Sequence, residues 1–252
     1  MSIEANLGVR SSVYFSSRKR PSRRSLTEEL LRPRDRPVGT CGYDIMHPTI
    51  VETMGQLNAG GWEIGLQPSP DCHTDQAQLA REKDRLEMIL GSKVTGGRQP
   101  TSNTGRTELW RHYKRVGLEY GVSRRTPEQP GVENGDDVFR PFEDHFAVFP
   151  VTIRGNILLQ NRDLEEAWTV CESLLEEAAG ENAVFVVLWA QRYFNENRFP
   201  AHSQLYSRLI RAAKERGARI GPLGDLCKHM SQAATDAIQV YHDDATETPD
   251  VI

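Results

Sequence analysis

The sequence predicts an α/β fold in which parallel strands form a closed or nearly closed barrel. Strand-like and helix-like segments alternate along most of the chain, which is the pattern of βα repeats around a parallel sheet. The segment Ala183–Ala190 is eight apolar residues long, as expected for a strand buried on both faces. Seven or so repeats in about 240 residues fit a barrel better than an open, doubly wound sheet, which is the alternative.

The composition bounds the class of protein before any motif is considered. The chain has 252 residues, 38% of them hydrophobic, so we expect one domain over residues 1–241 and an acidic, disordered tail over 242–252. The net charge of −4 disfavours binding to nucleic acid or to an anionic membrane through the overall field. No apolar run approaches the ~20 residues that cross a bilayer, so we expect a cytoplasmic protein without a membrane partner. The four cysteines form no C-x-x-C pair and are expected to be free thiols.

The individual elements follow from apolar spacing and from the residues that bound each segment. Strand candidates rich in β-branched, apolar or aromatic residues are 9–15, 62–66, 94–98, 118–122, 146–153, 183–189 and 218–220. Helix candidates with apolar residues three and four positions apart are 48–59, 75–90, 107–116, 164–179, 203–216 and 223–240. Pro48 begins the first of these helices, and Gly60 and Gly91 follow the ends of the first two. The segment Ile3–Gly8 resembles the last turn of a helix with nothing before it.

A basic segment interrupts this pattern after the first strand candidate. Residues 18–36 contain eight Lys and Arg, three acidic residues and two prolines, with little periodic apolar face. This composition is typical of a solvated loop, and a contact with an anionic ligand such as phosphate, polysaccharide or nucleic acid is the alternative. No G-x-G-x-x-G motif follows a predicted strand and no G-x-x-x-x-G-K motif is present, so nucleotide binding has no support.

Three stretches are more specific than their hydrophobic pattern. They are 43–66 (YDIMHPTIVETMGQLNAGGWEIGL) with the EKDRLE and VTGGRQ segments after it, 139–157, and 188–218 (LWAQRYFNENRFPAHSQLYSRLIRAAKERGA). Together they resemble the polysaccharide deacetylases, the NodB-homology carbohydrate esterases, over about residues 7–222. The resemblance implies a distorted (β/α) barrel of the glycoside hydrolase and deacetylase type. It also implies a divalent metal, usually zinc, held by one aspartate and two histidines. With an aspartate base and a histidine acid, that metal removes acetyl groups from a sugar polymer.

Several residues on which that chemistry depends are substituted in this chain. The family's first strand, with its paired aspartates, would lie before Ile3 and is absent, so we expect a barrel that lacks its first strand. The metal-binding histidine after E-I-G-L is replaced by Gln67, whose neutral amide oxygen is a poor zinc ligand. Asp71, Cys72 and His73 follow closely, and a metal role for Asp71 or His73 is the alternative to a loop or capping role.

Further positions at the expected barrel opening are changed in the same way. Arg98 and Gln99 are kept from the family's G-V-R-Q-H pattern, but Pro100 takes the place of its histidine. The family's Y-D-S-T becomes YGVS at 120–123, and its late W-H becomes Trp189-Ala190, so an aspartate and the histidine acid are both lost. The other histidines are expected to be structural or exposed, and they are His47, His112, His145, His202, His229 and His242.

We therefore expect a polysaccharide-deacetylase-like pseudoenzyme, catalytically impaired, whose barrel opening binds a carbohydrate or has a regulatory role. Arg98 is the candidate to orient an acid or to bind an anion, and Trp189 and Tyr193 are the candidate sugar contacts. The chain as written is expected to hold no cofactor. The alternative is an active metal-dependent deacetylase that uses zinc or another divalent metal and whose first strand is encoded upstream of the assigned start.

Overall fold

A computed structural model of the chain describes residues 2–16, 43–99, 107–123, 138–160, 162–181 and 183–232. The side chains of Pro70, Asp71 and Asn156 are not part of this description. The basic segment 18–36, Pro100 and the tail 242–252 lie outside the described residues, so the expectations about them stay predictions.

Strands and helices alternate as the sequence predicts, which confirms the α/β class. The strands are β1 (Ser12–Phe15), β2 (Glu63–Leu66), β3 (Gly96–Arg98), β4 (Tyr120–Ser123), β5 (Ala147–Pro150), β6 (Ile153–Arg154) and β7 (Val187–Leu188). The helices are α1 (Ser2–Asn6), α2 (Pro48–Ala59), α3 (Gln76–Leu90), α4 (Thr107–Arg115), α5 (Gly155–Leu158), α6 (Leu164–Glu181), α7 (Pro200–Glu215) and α8 (223–232). Short 3-10 turns lie at Pro70–His73 and Gln191–Phe194. Within the described residues, no helix is long and apolar enough to span a membrane.

The five strands β1 to β5 form one parallel sheet whose spatial order is their order in the chain. A doubly wound sheet reverses its order at a switch point, and these five strands do not, so that alternative does not describe them. Strands β6 and β7 form a second parallel pair. Between the two sheets, Val151 N–H donates a hydrogen bond to the Ser123 oxygen (3.1 Å). Thr152 N–H and Ile153 N–H both donate to the Val186 oxygen (2.8 Å and 3.2 Å). Closure into a barrel stays a prediction.

The core lies on both faces of the five-stranded sheet. One cluster packs α2, α3 and α4 against it, around Met54, Leu79 and Leu109. A second cluster joins Tyr120 and Phe149 from the strands to side chains of α8. Because α3 places its apolar residues three and four positions apart, the face of the helix that carries them is buried and the opposite face is solvated.

Two consecutive glycines in β3 let large aromatic side chains lie directly on the strand. A Cβ atom on Gly96 would lie 2.1 Å from the phenol oxygen of Tyr120, and one on Gly97 would lie 2.5 Å from the ring of Tyr113. Both tyrosines are fully buried. Glycine is therefore required here by close packing and not by backbone conformation.

Three strand predictions need correction. The segment 146–153 is two strands in two sheets, because the chain leaves β5 at Pro150 and begins β6 at Ile153. In the apolar run 183–190 only Val187–Leu188 pairs as a strand, and both residues are half-buried. The expected burial on both faces is wrong, since only Val186 in this run is buried and the other seven residues are partly exposed. Residues 218–220 form no strand.

The N-terminal segment is anchored by a buried acid. Glu4 in α1 is 2% exposed, and its carboxylate accepts hydrogen bonds from Trp62 Nε1 and from the hydroxyl of Tyr206 in α7. Strand β1 takes the edge position beside β2, with Val13 opposite Ile64. Helix α1, whose sequence resembles a last helical turn with nothing before it, is thus held against Trp62 and Tyr206. Whether the fold lacks a strand before β1 stays a prediction.

Candidate functional site at the carboxyl edge of the sheet

Parallel strands bring their carboxyl ends to one edge of the sheet, which we call the carboxyl edge. Ligand and catalytic sites of parallel α/β folds lie at this edge, because the loops that follow the strands converge there. The residues that end or follow the first four strands are Ser16, Gln67, Arg98, Gln99 and Ser123. Most are polar, so this edge is the candidate site.

Arg98 and Gln67 meet at the ends of adjacent strands. The pairing of Leu66 with Gly97 sets the register of β2 and β3, and it brings the two following side chains together. Arg98 Nη1 donates a hydrogen bond of 2.6 Å to Gln67 Oε1, and both residues are half-buried. A guanidinium charge thus stands beside the amide that the resemblance places at a histidine position of the family.

The phenol groups of the half-buried Tyr14 and the fully buried Tyr120 contact each other within the sheet. The hydroxyl oxygens of Tyr14 in β1 and Tyr120 in β4 are 3.0 Å apart. Burial and the charge of Glu63 raise the pKa of Tyr14, and the Arg98 charge opposes this increase only in part. Burial and the neighbouring Tyr14 and Glu63 raise the pKa of Tyr120 as well. Both phenols therefore stay neutral at physiological pH.

A buried carboxylate fixes the loop between β2 and α3. Glu82 is fully buried and accepts hydrogen bonds from the backbone N–H of Ser69 (2.8 Å), from its hydroxyl (2.6 Å) and from Gln78 Nε2 (2.8 Å). The Ser69 hydroxyl also lies 3.2 Å from the Cys72 thiol. Glu82 is thus the anchor for the loop that leads to the turn Pro70–His73.

The described residues do not fit the metal site that the resemblance implies. His73 is half-buried at the end of the 3-10 turn, and the side chain of Asp71 lies outside the description. Burial raises the pKa of the Cys72 thiol to about 12, so the thiolate that binds zinc is disfavoured. No three His, Cys, Asp or Glu side chains converge as a metal-binding group anywhere in the described ranges. At Gln67 itself, the neutral amide oxygen already accepts a hydrogen bond from Arg98 and is a poor ligand for zinc.

The two predicted sugar contacts meet in an aromatic cluster after β7. The Trp189 ring packs directly over Gly155, where a Cβ atom would lie 1.7 Å from the ring. The centroids of the Trp189 and Tyr206 rings are 5.0 Å apart. Tyr193 is 5% exposed and stacks flat on His202, with ring centroids 4.1 Å apart. The tyrosine hydroxyl accepts a hydrogen bond of 2.6 Å from Arg192 Nη2. Both predicted contacts are therefore parts of a packed cluster, and most of the Tyr193 surface is covered.

Two polar residues, Glu82 below the loop after β2 and His202 in the aromatic cluster after β7, are not among the predicted site residues, although the sequence around each carries a signal. Glu82 belongs to the apolar stripe of α3, since it lies three residues after Leu79 and four before Leu86. His202 lies on the buried face of α7, three and four residues before Leu205 and Tyr206. A polar residue inside an apolar helical stripe is expected to be buried and to have a structural or functional reason for its position.

The opposite, amino edge of the sheet is closed by α8. Glu63 at the start of β2 accepts hydrogen bonds from Ser12 Oγ (2.5 Å) and from the backbone N–H of Gly224 (3.0 Å). A cavity of about 620 Å³ opens at this end, and its lining residues include Lys114, Leu118, Glu119, Phe146, Cys227 and Lys228. It lies away from the candidate site.

Comparisons with known proteins support the fold and identify neither a family nor an activity. No family model and no curated protein matches the chain. Among solved structures, the chain is similar to a candidate polysaccharide deacetylase from Mycobacterium smegmatis, with 12% identity and a TM-score of 0.58 over 93% of this chain and 76% of that one. It is also similar to a GH57 branching enzyme from Thermococcus kodakaraensis, with 13% identity and a TM-score of 0.47 over 71% of this chain and 49% of that one. The fold is thus deacetylase-like.

Proposed function

We propose that this chain is a polysaccharide-deacetylase-like protein that binds carbohydrate at its carboxyl edge and lacks the family's metal-dependent hydrolysis. Arg98 and the half-buried Trp189 take part in the binding, whereas Tyr193, which is 5% exposed, packs against His202 and is not a proposed contact. The fold likeness to a carbohydrate-active protein supports the ligand class.

The observation that carries this proposal is the hydrogen bond between Arg98 and Gln67. In the family, a histidine at the Gln67 position binds the metal. Here that position holds an amide, a poor zinc ligand, whose oxygen already accepts a hydrogen bond of 2.6 Å from the charged guanidinium of Arg98. The same charge favours the acidic or hydroxyl groups of a sugar.

The alternative is an active metal-dependent deacetylase whose first strand is encoded upstream of the assigned start. The fold likeness supports it equally, and the zinc dependence of acetate release distinguishes the two.

Calorimetric titration of the full chain with acetylated and deacetylated glucosamine oligomers tests the binding. We expect a measurable dissociation constant for at least one oligomer, and about tenfold weaker binding for Arg98→Ala, since one charge-assisted hydrogen bond is lost. Arg81→Ala is the matched control, because Arg81 is exposed on α3 and pairs with Asp75 and Gln78. A folded wild-type chain that binds neither oligomer would overturn the carbohydrate role.

The basic segment 18–36 stays a separate hypothesis of a polyanion contact, since it lies outside the described residues. Binding to a polyanion such as heparin that weakens steeply with salt would support it. Binding without salt dependence would remove it.

A further inference from the structure

Packing against Tyr113 fixes the backbone on both sides of Arg98. Before Arg98, Gly97 lies so close to the Tyr113 ring that a Cβ atom would be 2.5 Å from it. After Arg98, Gln99 is 2% exposed, and its amide oxygen accepts a hydrogen bond of 3.4 Å from the Tyr113 hydroxyl. The Gln99 N–H also donates to the Val122 oxygen of β4 (3.3 Å). The point at which the Arg98 side chain leaves β3 is therefore fixed.

A fixed backbone does not by itself fix the far end of a long side chain. An arginine side chain has many rotamers, and a ligand that holds it in one of them loses affinity through the entropy of ordering it. A side chain that is already ordered in the free protein avoids this loss. A neighbour that orders Arg98 beforehand therefore strengthens the binding of any ligand that Arg98 contacts.

Gln67 is the neighbour that orders the guanidinium of Arg98. Its own backbone N–H donates a hydrogen bond of 2.8 Å to the Phe15 oxygen, which holds Gln67 at the end of β2. Its side-chain Oε1 accepts the hydrogen bond of 2.6 Å from Arg98 Nη1. The N–H groups of a guanidinium lie in one rigid plane, so a bond to one of them sets the direction of the others. Both side chains are half-buried, so the pair keeps some contact with solvent at the carboxyl edge.

The amide of Gln67 fits this role by its chemistry. Its oxygen accepts a hydrogen bond and adds no negative charge beside the guanidinium, whereas a glutamate would accept the same bond and add a charge. A methionine has nearly the same length and only a weakly accepting sulfur. These two replacements separate the loss of the acceptor from the loss of the side chain.

We propose that Gln67 is a positioning residue for carbohydrate binding, which orders the guanidinium of Arg98 before the ligand arrives. The ordered guanidinium then donates to an oxygen atom of the sugar in one direction. This inference rests on the proposed carbohydrate binding. It gives Gln67 a role of its own, where the sequence indicated only a lost metal ligand.

A double-mutant cycle on the full chain tests this role by calorimetric titration with an N-acetylglucosamine oligomer. We expect Gln67→Met to bind the oligomer about tenfold more weakly than wild type, because the ligand must then order Arg98 itself. Gln67→Glu keeps the acceptor and should bind within about threefold of wild type. In the Arg98→Ala background, Gln67→Met should cause less than about twofold further loss, since Gln67 acts through Arg98. A merely structural effect of Gln67→Met would weaken binding equally in both backgrounds.

The side-chain NMR signals of Arg98, in the full chain labelled with nitrogen-15, report the ordering without any ligand. Their disappearance in Arg98→Ala assigns them. We expect separate Nη signals, as for a guanidinium that does not rotate freely, in wild type and in Gln67→Glu, and one averaged signal in Gln67→Met. Gln56→Met is the matched control, since Gln56 is exposed on α2, and it should change neither the signals nor the binding.

The outcomes separate this inference from the proposed function. If wild type binds the oligomer and Gln67→Met binds it equally well, or loses the same factor with and without Arg98, the positioning role is wrong and the carbohydrate role stands. If the folded wild-type chain binds no oligomer, the proposed function fails and this inference fails with it. Should Gln67→Met not fold, the wild-type signals still decide, because an averaged Arg98 signal in the free wild-type chain would overturn the ordering.

Discussion

The carboxylate of Glu4 accepts a hydrogen bond of 2.5 Å from the hydroxyl of Tyr206, a residue 202 positions further along the chain. The same carboxylate accepts from the indole N–H of Trp62, directly before β2. Burial and the charge of Glu4 raise the pKa of Tyr206, so its hydroxyl stays a donor. One buried acid thus joins the N-terminal helix to the sheet and to α7.

Replacing Glu4 by alanine should destabilise the protein by about 3 kcal/mol, because two buried donors lose their acceptor. The midpoint of urea unfolding measures this loss. Glu52→Ala is the control, since Glu52 is exposed on α2, and it should change stability by less than about 0.5 kcal/mol. Equal stability of the two variants would mean that the buried carboxylate does not anchor the helix.

Replacing Glu82 by alanine should loosen the loop that leads into the turn Pro70–His73. Ser69 would lose the acceptor for both its backbone N–H and its hydroxyl, which we expect to cost about 2–3 kcal/mol. Hydrogen exchange at the Ser69 amide measures the loosening directly, and it should become faster. Asp84→Ala, at an exposed position of the same helix, should leave that exchange rate unchanged. A protected Ser69 amide in Glu82→Ala would contradict the anchoring role.

Two glycines provide a matched test of close packing. Gly96→Ala should destabilise by about 2–3 kcal/mol, because the new methyl group would overlap the phenol of Tyr120 in a filled interior. Gly180→Ala in α6 meets nothing within 4 Å, so it should stabilise the helix by about 0.5–1 kcal/mol. Thermal unfolding of both variants measures these opposite signs. A neutral effect at Gly96 would mean that β3 and Tyr120 are not in contact.

His202 should titrate below its ordinary pKa of 6.5, because burial and the charge of Arg192 disfavour the imidazolium. The unfolded chain then takes up this proton at a higher pH than the folded one. The contribution of His202 to stability is therefore lost as the pH falls through about 6.5 and below. Proton NMR of the ring measures the titration midpoint.

Arg192→Gln should raise that midpoint toward the ordinary value, since one nearby positive charge is removed. Arg198→Gln is the control, because Arg198 contacts Phe199 and is not among the causes of the lowered pKa. Identical midpoints in wild type and Arg192→Gln would show that the two side chains do not interact.

Local spacing predicts most of the element types correctly. The helix beginning at Pro48 and the one ending before Gly91 follow from caps and apolar stripes, and both lie close to their predicted bounds. Pairing is harder to predict, because it depends on distant residues. The run 183–190 is apolar enough for a buried strand, yet it pairs through Val187–Leu188 alone, since β6 is only two residues long.

The residues Gln67 and Arg98 of the candidate site could be predicted from the sequence, whereas the contact between them could not. Gln67 and Arg98 could be named from their positions after strands. Their hydrogen bond depends on the register that sets Leu66 beside Gly97, which no local pattern specifies. His202 was expected to be structural or exposed. Its stacking on Tyr193 could not be predicted, because that contact depends on the path of the chain between β7 and α7.

Acetate release from an N-acetylglucosamine oligomer, measured with and without added zinc, tests most directly whether the carboxyl edge binds sugar without hydrolysing it. We expect the full chain to bind the oligomer and to release acetate no faster than buffer at either zinc level, because Gln67, whose amide oxygen is bound by Arg98, replaces a metal-binding histidine of the family. Zinc-dependent acetate release by the wild-type chain, lost in His73→Ala, would contradict this assignment and establish an active metal-dependent deacetylase.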